Sequence, residues 1–353
     1  GCAPPEQQPT SVRVATFNAS LNRATEGQLA ADLSGENAQA RAVADVIAEN
    51  APDILLVNEF DYSSEAVELF RENYLDGVYP HSFTAPVNTG VDSGLDLDSD
   101  GSLGGPNDAY GFGVFPGQYG MLVLSKYPIS VEGVRTFQDF LWKDMPDSLL
   151  PREYYGEAAD ALRLSSKSHW DVPIEVNGKT LHVLASHPPP PTFDGPEDRN
   201  GKRNHDEIRL TADYIDGAEY LYDDNGVRGG LAEGESFVVL GDQNSDPIPP
   251  DLIVEKDGLE WVWASPCKSG GCTGTILLRD GFRFATTTKL AAHPTFAEMG
   301  GLEAGLDSIR LKLRSVRPDI STRLITTVTL LTLTVGASYP IRPVYQIVAM
   351  KPC

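Results

Sequence analysis

Four short apolar segments end on polar residues, and this pattern most constrains the fold. They are VATFN (14–18), ILLVNEF (54–60), LHVLASH (181–187) and FVVLGDQN (237–244). Such runs are typical of buried strands whose ends carry the polar groups of a site. Helices predicted over 38–50 and about 63–73 flank the second segment, and the order strand, helix, strand indicates an α/β layered fold.

The remaining elements follow from turn signals and periodicity. Asn177-Gly178 predicts a hairpin between strands over 171–176 and 179–187. A further strand starts at about Tyr119, and a helix is predicted from His205 to Asp216. Gly-, Asp- and Pro-rich stretches predict long loops at the strand ends, where α/β enzymes usually keep their sites.

Composition limits the class of function. The chain has 353 residues, of which 41% are hydrophobic, enough for one large domain with a real core. Its net charge of -22 argues against a broad surface for nucleic acid, because the phosphate backbone attracts basic proteins. A metal-dependent enzyme stays possible, because a bound cation inverts the local field.

The strand-end motifs, with YGMLVLSKYPI and RNHDEIRLTADYI, resemble the endonuclease/exonuclease/phosphatase superfamily of DNase I-like phosphoesterases. The resemblance covers residues 11–307. It implies a four-layer α/β sandwich, in which two packed mixed β-sheets are flanked by helices and the site lies at one end. It also implies hydrolysis of a phosphodiester or phosphomonoester by metal-assisted attack of water.

The resemblance also implies the site residues. Glu59 corresponds to the ligand of Mg²⁺ or Mn²⁺, and Asn18 to its partner. His187 corresponds to the histidine that hydrogen-bonds the scissile phosphate. Asp242 and Asn244 correspond to the Asp and Asn that position the nucleophilic water and a phosphate oxygen. These types suit phosphoryl transfer, which needs a hard cation, a base and hydrogen-bond donors.

The C-terminal part departs from the family pattern. Asp307 in GLDSIRL is the candidate for the family's strand-motif Asp, but no His follows His293, so the closing Ser-Asp-His is missing. Residues 308–353 form a basic, Thr-rich tail of net charge +6. A changed reading frame near 305–310 and a divergent tail both explain it. The rival function is therefore a non-catalytic, calcium-stabilised surface protein.

A second metal signal lies in the loop VDSGLDLDSDGSLGGPND. Its DxDxDG run resembles an EF-hand-like calcium loop, with an Asn where the twelfth-place acid is usual. The predicted ligands are Asp96, Asp98, Asp100, Ser102, Asn107 and Asp108. The alternative is a solvated acidic loop.

The start of the chain, GCAPPEQQPT, resembles the processed end of a bacterial lipoprotein, with Cys2 as the lipidated residue and 1–10 as a flexible tether. An arbitrary terminus with a chance Cys is the alternative. An extracellular or periplasmic location follows from the first interpretation. Cys267 and Cys272 fit a local disulfide or a free pair.

Substrate and partners are less defined. A small phosphate ester is preferred to nucleic acid, and a monomer is expected, attached to a membrane only through the N-terminal lipid. Arg203 lies just before the helix predicted from His205, and Arg209 lies in its first turns. Either they contact a substrate phosphate, or the helix start is solvated and capped by Asn204.

Overall fold

The computed structural model describes residues 10–245, with side chains from Val12, and beyond them the backbone of strands within 250–256, 259–264, 274–277, 283–286, 311–313 and 329–335. The helices are α1 (Gln28–Leu33), α2 (Ala38–Asn50), α3 (Ser64–Asn73), α4 (Arg152–Tyr155) and α5 (Arg199–Ile215). None of the helices in this described part is long and apolar enough to cross a membrane.

The strands are numbered in chain order. They are β1 (Thr10–Leu21), β2 (Ile54–Phe60), β3 (His81–Phe83), β4 (Met121–Ser125), β5 (Arg135–Thr136), β6 (His169–Val176), β7 (Lys179–Ser186), β8 (Phe237–Gly241), β9 (Pro250–Lys256), β10 (Leu259–Ala264), β11 (Gly274–Leu277), β12 (Arg283–Thr286), β13 (Leu311–Leu313) and β14 (Thr329–Val335). Short 3₁₀ turns lie at Val131–Gly133, Trp142–Asp144 and Gly156–Asp160.

Two mixed sheets form the centre. The first has the order β13-β14-β1-β2-β4-β3, and the second has the order β5-β6-β7-β8. β1 and β2 are parallel, and so are β7 and β8. Parallel neighbours end at the same edge, so each sheet presents two of the four polar strand ends together.

The core has three parts, which define four layers. One lies between the first sheet and helices α1 to α3, and includes Phe17 and Phe70. The second lies between the sheets, and includes Val14 and Trp170. The third covers the outer face of the second sheet with α5 and the loops before β6. The predicted four-layer α/β sandwich of two mixed sheets flanked by helices is confirmed.

Most predicted elements are present with small shifts. The helix over 38–50 and the hairpin at Asn177-Gly178 are as predicted. The prediction for α5 was too short, because the helix begins at Arg199 rather than at His205. The extra turns are polar, and tertiary contacts hold them: the Arg203 Nε donates a hydrogen bond to the Leu164 carbonyl at 2.8 Å.

Part of the basic tail belongs to the first sheet. β14 pairs antiparallel with β1, from Thr10 opposite Val335 to Thr16 opposite Thr329. β13 pairs with the other edge of β14. The origin of the tail sequence stays a prediction.

Candidate functional site

Three predicted site residues meet where the two sheets come together. The Asn18 Nδ2 donates to Glu59 Oε1 at 2.9 Å and to Asp242 Oδ2 at 2.9 Å. Asn18 and Glu59 lie near the ends of β1 and β2 in the first sheet, whereas Asp242 follows β8 of the second. All three are buried, with 8%, 8% and 3% exposure. One amide thus links two buried carboxylates across the sandwich.

His187 completes this group. Its Nε2 lies 3.8 Å from Asp242 Oδ2, and the side chain is buried. Its carbonyl oxygen accepts a hydrogen bond from the Ser166 hydroxyl at 3.3 Å. The His187 imidazole therefore lies beside the Asp242 carboxylate, and the hydrogen bond from Ser166 fixes the His187 backbone.

Asn244 supports Asp242 from the following turn. Its N–H donates to Asp242 Oδ1 at 3.1 Å, and its Nδ2 donates to the Pro188 carbonyl at 3.0 Å. Its backbone is left-handed, with φ at 47°. In this arrangement Asn244 fixes Asp242 and the loop after His187, and the predicted contact with a phosphate oxygen stays a prediction.

A backbone irregularity puts Glu59 on the side facing the site. In β2, Leu55 and Val57 face the helices, so simple alternation would send Glu59 there too. Glu59 instead has φ at 58°, and Phe60 takes its place in the helical core. The pairing of β1 and β2 shifts register at the same level, between Asn18 and Leu21. A non-glycine residue in this region is uncommon and is a feature of functional sites.

Burial dominates the electrostatics of the site. It raises the pKa of Asp242 to about 6, opposed by the hydrogen bond from Asn18. Asp61, two residues after Glu59, has its pKa raised to about 6 by burial, although its carboxylate accepts N–H bonds from Arg23 and Tyr119. Carboxylates held in this way gain from a nearby cation.

The donor set fits a divalent metal ion. Two buried carboxylates and one amide offer oxygen atoms, the ligands that Mg²⁺ and Mn²⁺ prefer. The amide assignment of Asn18 follows from its hydrogen bonds, and a rotation about its terminal torsion would exchange N for O. Glu59 and Asn18 would hold the ion, and Asp242 lies beside it.

Several supporting residues were missed by the sequence analysis. Asn58 accepts from Thr16 Oγ1 at 3.3 Å and donates to the Ser186 carbonyl at 3.4 Å, which joins the sheets beneath the site. Lys167 and Glu207 are buried nearby, although charged residues are rarely buried. The one available signal for Lys167 was its place in SSKSHWD, immediately before β6.

The start of α5 has a structural role. Arg203 donates to the carbonyls of Leu164, Tyr110 and Arg163 at 2.6 to 2.8 Å, and Arg209 pairs with Asp213. Asn204 is not the N-cap, which is Asp198. Its Nδ2 instead donates to the carbonyls of Pro189 and Gln243, and so connects the two loops that follow β7 and β8.

The acidic loop brings together three of its six predicted ligands. Carboxylate oxygens of Asp96, Asp98 and Asp108 lie within 4.8 Å of one another. Both oxygens of Asp108 accept backbone N–H bonds, from Leu97 and Gly105. Asn107 donates its Nδ2 to Asp98, and Asp100 accepts from the Ser102 N–H.

Four predicted residues lie outside the described side chains. They are Asp307, the Cys267 and Cys272 pair, and Cys2. Their predicted roles in the site, in a disulfide and in lipid attachment stay predictions.

The Endonuclease/Exonuclease/phosphatase family model matches residues 15–296. The chain belongs to this family. The match spans Asn18, Glu59, His187, Asp242 and Asn244, and it confirms the resemblance found in the sequence. Membership supports a hydrolase in general. No curated protein matches the chain.

The chain is also similar to several solved structures, all of them distant in sequence. An endonuclease/exonuclease/phosphatase from Beutenbergia cavernae is 16% identical, over 92% of this chain and 72% of its own, with a TM-score of 0.46. TDP2 from Caenorhabditis elegans is 11% identical, over 93% and 75%, with a TM-score of 0.42. Sphingomyelinase C from Streptomyces griseocarneus is 16% identical, over 79% and 95%, with a TM-score of 0.38.

Proposed function

We propose that the protein is a metal-dependent phosphoesterase that hydrolyses a phosphodiester or phosphomonoester by attack of water. The observation that carries the proposal is the contact of Asn18 with both Glu59 and Asp242, beside His187. This group offers a cation site, a base and a hydrogen-bond donor within one buried cluster.

Each residue has a role in the proposed reaction. When bound, the divalent cation supplies Lewis-acid stabilisation of charge on the phosphoryl oxygens. Asp242 orients the attacking water and accepts its proton, and a pKa raised to about 6 by burial suits a base working near neutral pH. His187 donates a hydrogen bond to a non-bridging oxygen. Asn244 holds the Asp242 carboxylate through its N–H.

The preferred substrate is a small phosphate ester. The net charge of -22 opposes long-range attraction of a polyanion, whereas a small ester needs only the local field of a bound cation. Nucleic acid is the second candidate class. A folded protein that binds metal without turnover would match the rival, a non-catalytic surface protein.

Hydrolysis of bis-p-nitrophenyl phosphate and of the corresponding monoester tests the proposal. We expect turnover with Mg²⁺ or Mn²⁺ and none in EDTA. Glu59→Gln removes the metal ligand with little change in volume and should abolish turnover. Asp53→Asn is the matched control, because Asp53 precedes β2 at its opposite end and pairs with Lys126. Turnover that persists in EDTA or in Glu59→Gln would contradict the proposal.

Two further expectations belong to this proposal. Calcium bound by Asp96, Asp98 and Asp108 would hold the long loop, and protection of the loop from proteolysis by Ca²⁺ tests it. An extracytoplasmic location with Cys2 as a lipid anchor is tested by Cys2→Ser in the full gene product. A variant that stays in the membrane fraction would contradict the anchor.

A further inference from the structure

Lys167 is a buried cation outside the predicted site set. It lies just before β6 and is 7% exposed, between Ser166 and Ser168, which are also buried. Removing an ammonium group from water is unfavourable unless other charges offset it. A lysine kept in such a place needs a charged partner, and the surrounding groups indicate which.

The backbone around Lys167 is fixed against the site. The Ser166 N–H donates to Glu207 Oε1 at 2.6 Å, and the Ser166 hydroxyl donates to the His187 carbonyl at 3.3 Å. The Lys167 carbonyl accepts from the Asn88 N–H at 2.8 Å. A Cβ at Gly111 would lie 1.9 Å from the Ser166 carbonyl oxygen. The backbone at Gly111 therefore packs directly against the segment that carries Lys167. The segment that carries Lys167 is therefore held against His187 and Glu207 through Ser166.

Three carboxylates act on the Lys167 charge. Burial lowers its pKa, and the charges of Glu207, Glu59 and Asp242 oppose that effect, in this order. Two of these three belong to the proposed metal and water sites. The ammonium thus shares the electrostatic environment of the catalytic group rather than that of a separate surface.

Glu207 has another cation of its own. Arg203 Nε lies 3.8 Å from Glu207 Oε1, and the Nε and Nη2 of this arginine donate to backbone carbonyls. Burial raises the pKa of Glu207 to about 7, opposed first by Arg203 and then by Lys167. Arg203 and Lys167 therefore both compensate the charge of Glu207. This compensation does not by itself account for a buried lysine at position 167.

The charge balance favours an anion as the further partner. Glu59, Asp242 and Glu207 are opposed by Lys167 and Arg203, so a divalent cation changes the formal charge of this group from minus one to plus one. Once the cation is bound, this group carries a net positive charge and attracts an anion such as phosphate.

We propose that the Lys167 ammonium binds a non-bridging oxygen of the substrate phosphate, beside the cation held by Glu59 and on the side of His187. This role rests on the proposed phosphoesterase function. A lysine acts on phosphate as a compact point charge, and in a buried site it interacts more strongly than in water. It would steady the charge that builds on the phosphoryl oxygens during attack.

Binding of inorganic phosphate to the Mg²⁺-loaded full chain, by calorimetry, tests this directly and needs no turnover. Lys167→Met should weaken phosphate binding by about 10- to 100-fold, the range expected for losing a charged hydrogen bond. Its affinity for Mg²⁺ should stay equal or rise, because a positive charge leaves the neighbourhood of Glu59 and Asp242. Lys126→Met removes the same charge beside Asp53 and should change neither affinity.

A double variant separates phosphate binding from charge compensation. In Lys167→Met with Glu207→Gln, both buried charges are removed together, which also protects folding if the single variant is unstable. Phosphate binding that stays weak in the double variant supports the proposal. Binding restored in the double variant would overturn it, since Lys167 would then serve only Glu207.

Four other results decide the matter. A wild-type protein that binds Mg²⁺ but not phosphate overturns the proposal, as does a Lys167→Met protein that binds phosphate normally. Suppose that the wild type binds phosphate but hydrolyses no ester, and that Lys167→Met loses phosphate binding. This pair of results supports the role of Lys167 and contradicts the proposed phosphoesterase function. Normal hydrolysis with unchanged KM in Lys167→Met supports the phosphoesterase function and contradicts the role of Lys167.

Discussion

The two acidic clusters of this molecule are built in different ways. In the buried cluster, Asn18 reaches carboxylates 41 and 224 residues away, at the ends of strands in two sheets. In the loop cluster, Asp96, Asp98 and Asp108 lie within 13 positions of sequence, and the hydrogen bonds of their carboxylates span 11 residues or fewer. The first cluster depends on the whole fold, and the second depends on a single loop.

This difference has electrostatic consequences. The loop carboxylates are satisfied by nearby N–H groups and are partly in contact with water, except Asp108. The carboxylates of the buried cluster are shielded from water, where charges interact more strongly. A rigid, low-dielectric cluster suits chemistry, whereas a solvated loop suits reversible ion binding.

The largest expected contrast is in activity. Asp242→Asn should lower kcat by about 10²- to 10⁴-fold, because it removes the proposed base. Asp98→Asn should leave kcat within about twofold, since the loop has no proposed part in the reaction. Parallel kinetics on bis-p-nitrophenyl phosphate measure both, and equal losses would break the distinction between the clusters.

A second contrast concerns close approach of the backbone. A Cβ at Gly241 would lie 2.1 Å from the Ser186 carbonyl oxygen, so Gly241→Ala should cost more than about 3 kcal/mol in the free energy of unfolding. Gly101 in the acidic loop has φ at 83° and open space, so Gly101→Ala should cost about 1 kcal/mol. Denaturant unfolding compares them, and similar values would show that β7 and β8 can separate freely.

A third prediction concerns His169, a buried residue at the start of β6, and the dependence of stability on pH. Burial lowers the pKa of His169 to about 4, below its ordinary value of 6.5. The unfolded chain binds the proton more readily between these values, so stability should fall as pH decreases from 6.5 to 4, by up to about 3 kcal/mol. His169→Gln should remove this contribution from the pH dependence measured by denaturant unfolding. An unchanged pH dependence would contradict it.

The smallest effect is expected at the loop. Ca²⁺ should raise the melting temperature of the wild type by a few degrees, roughly what 1 kcal/mol gives, and Asp98→Asn should lose that increase. Asp139→Asn is a matched control, because this exposed acid pairs with Arg163 and is not one of the three grouped carboxylates. A calcium shift retained in Asp98→Asn would argue for a different binding place.

The sequence was sufficient for the architecture, and it named four candidate site residues that the structure brings together. Asn18, Glu59, His187 and Asp242 each end an apolar run or directly follow one, and the structure gathers them at the end of the sandwich. It was not sufficient for the start of α5, where polar residues continue the helix because carbonyls of distant loops accept their side-chain donors.

Hydrophobic alternation and polar strand ends are local properties, and they predicted the strands and the α/β class. The four-layer sandwich and the candidate chemistry came from the family resemblance that the same residues carry. Only the tertiary structure decided that Glu59 turns toward Asn18 through a left-handed backbone, because alternation alone sends it toward the helices. It also decided that Lys167 shares the field of Glu59 and Asp242. Charge interactions depend on distance and burial in space, and a spacing along the chain specifies neither.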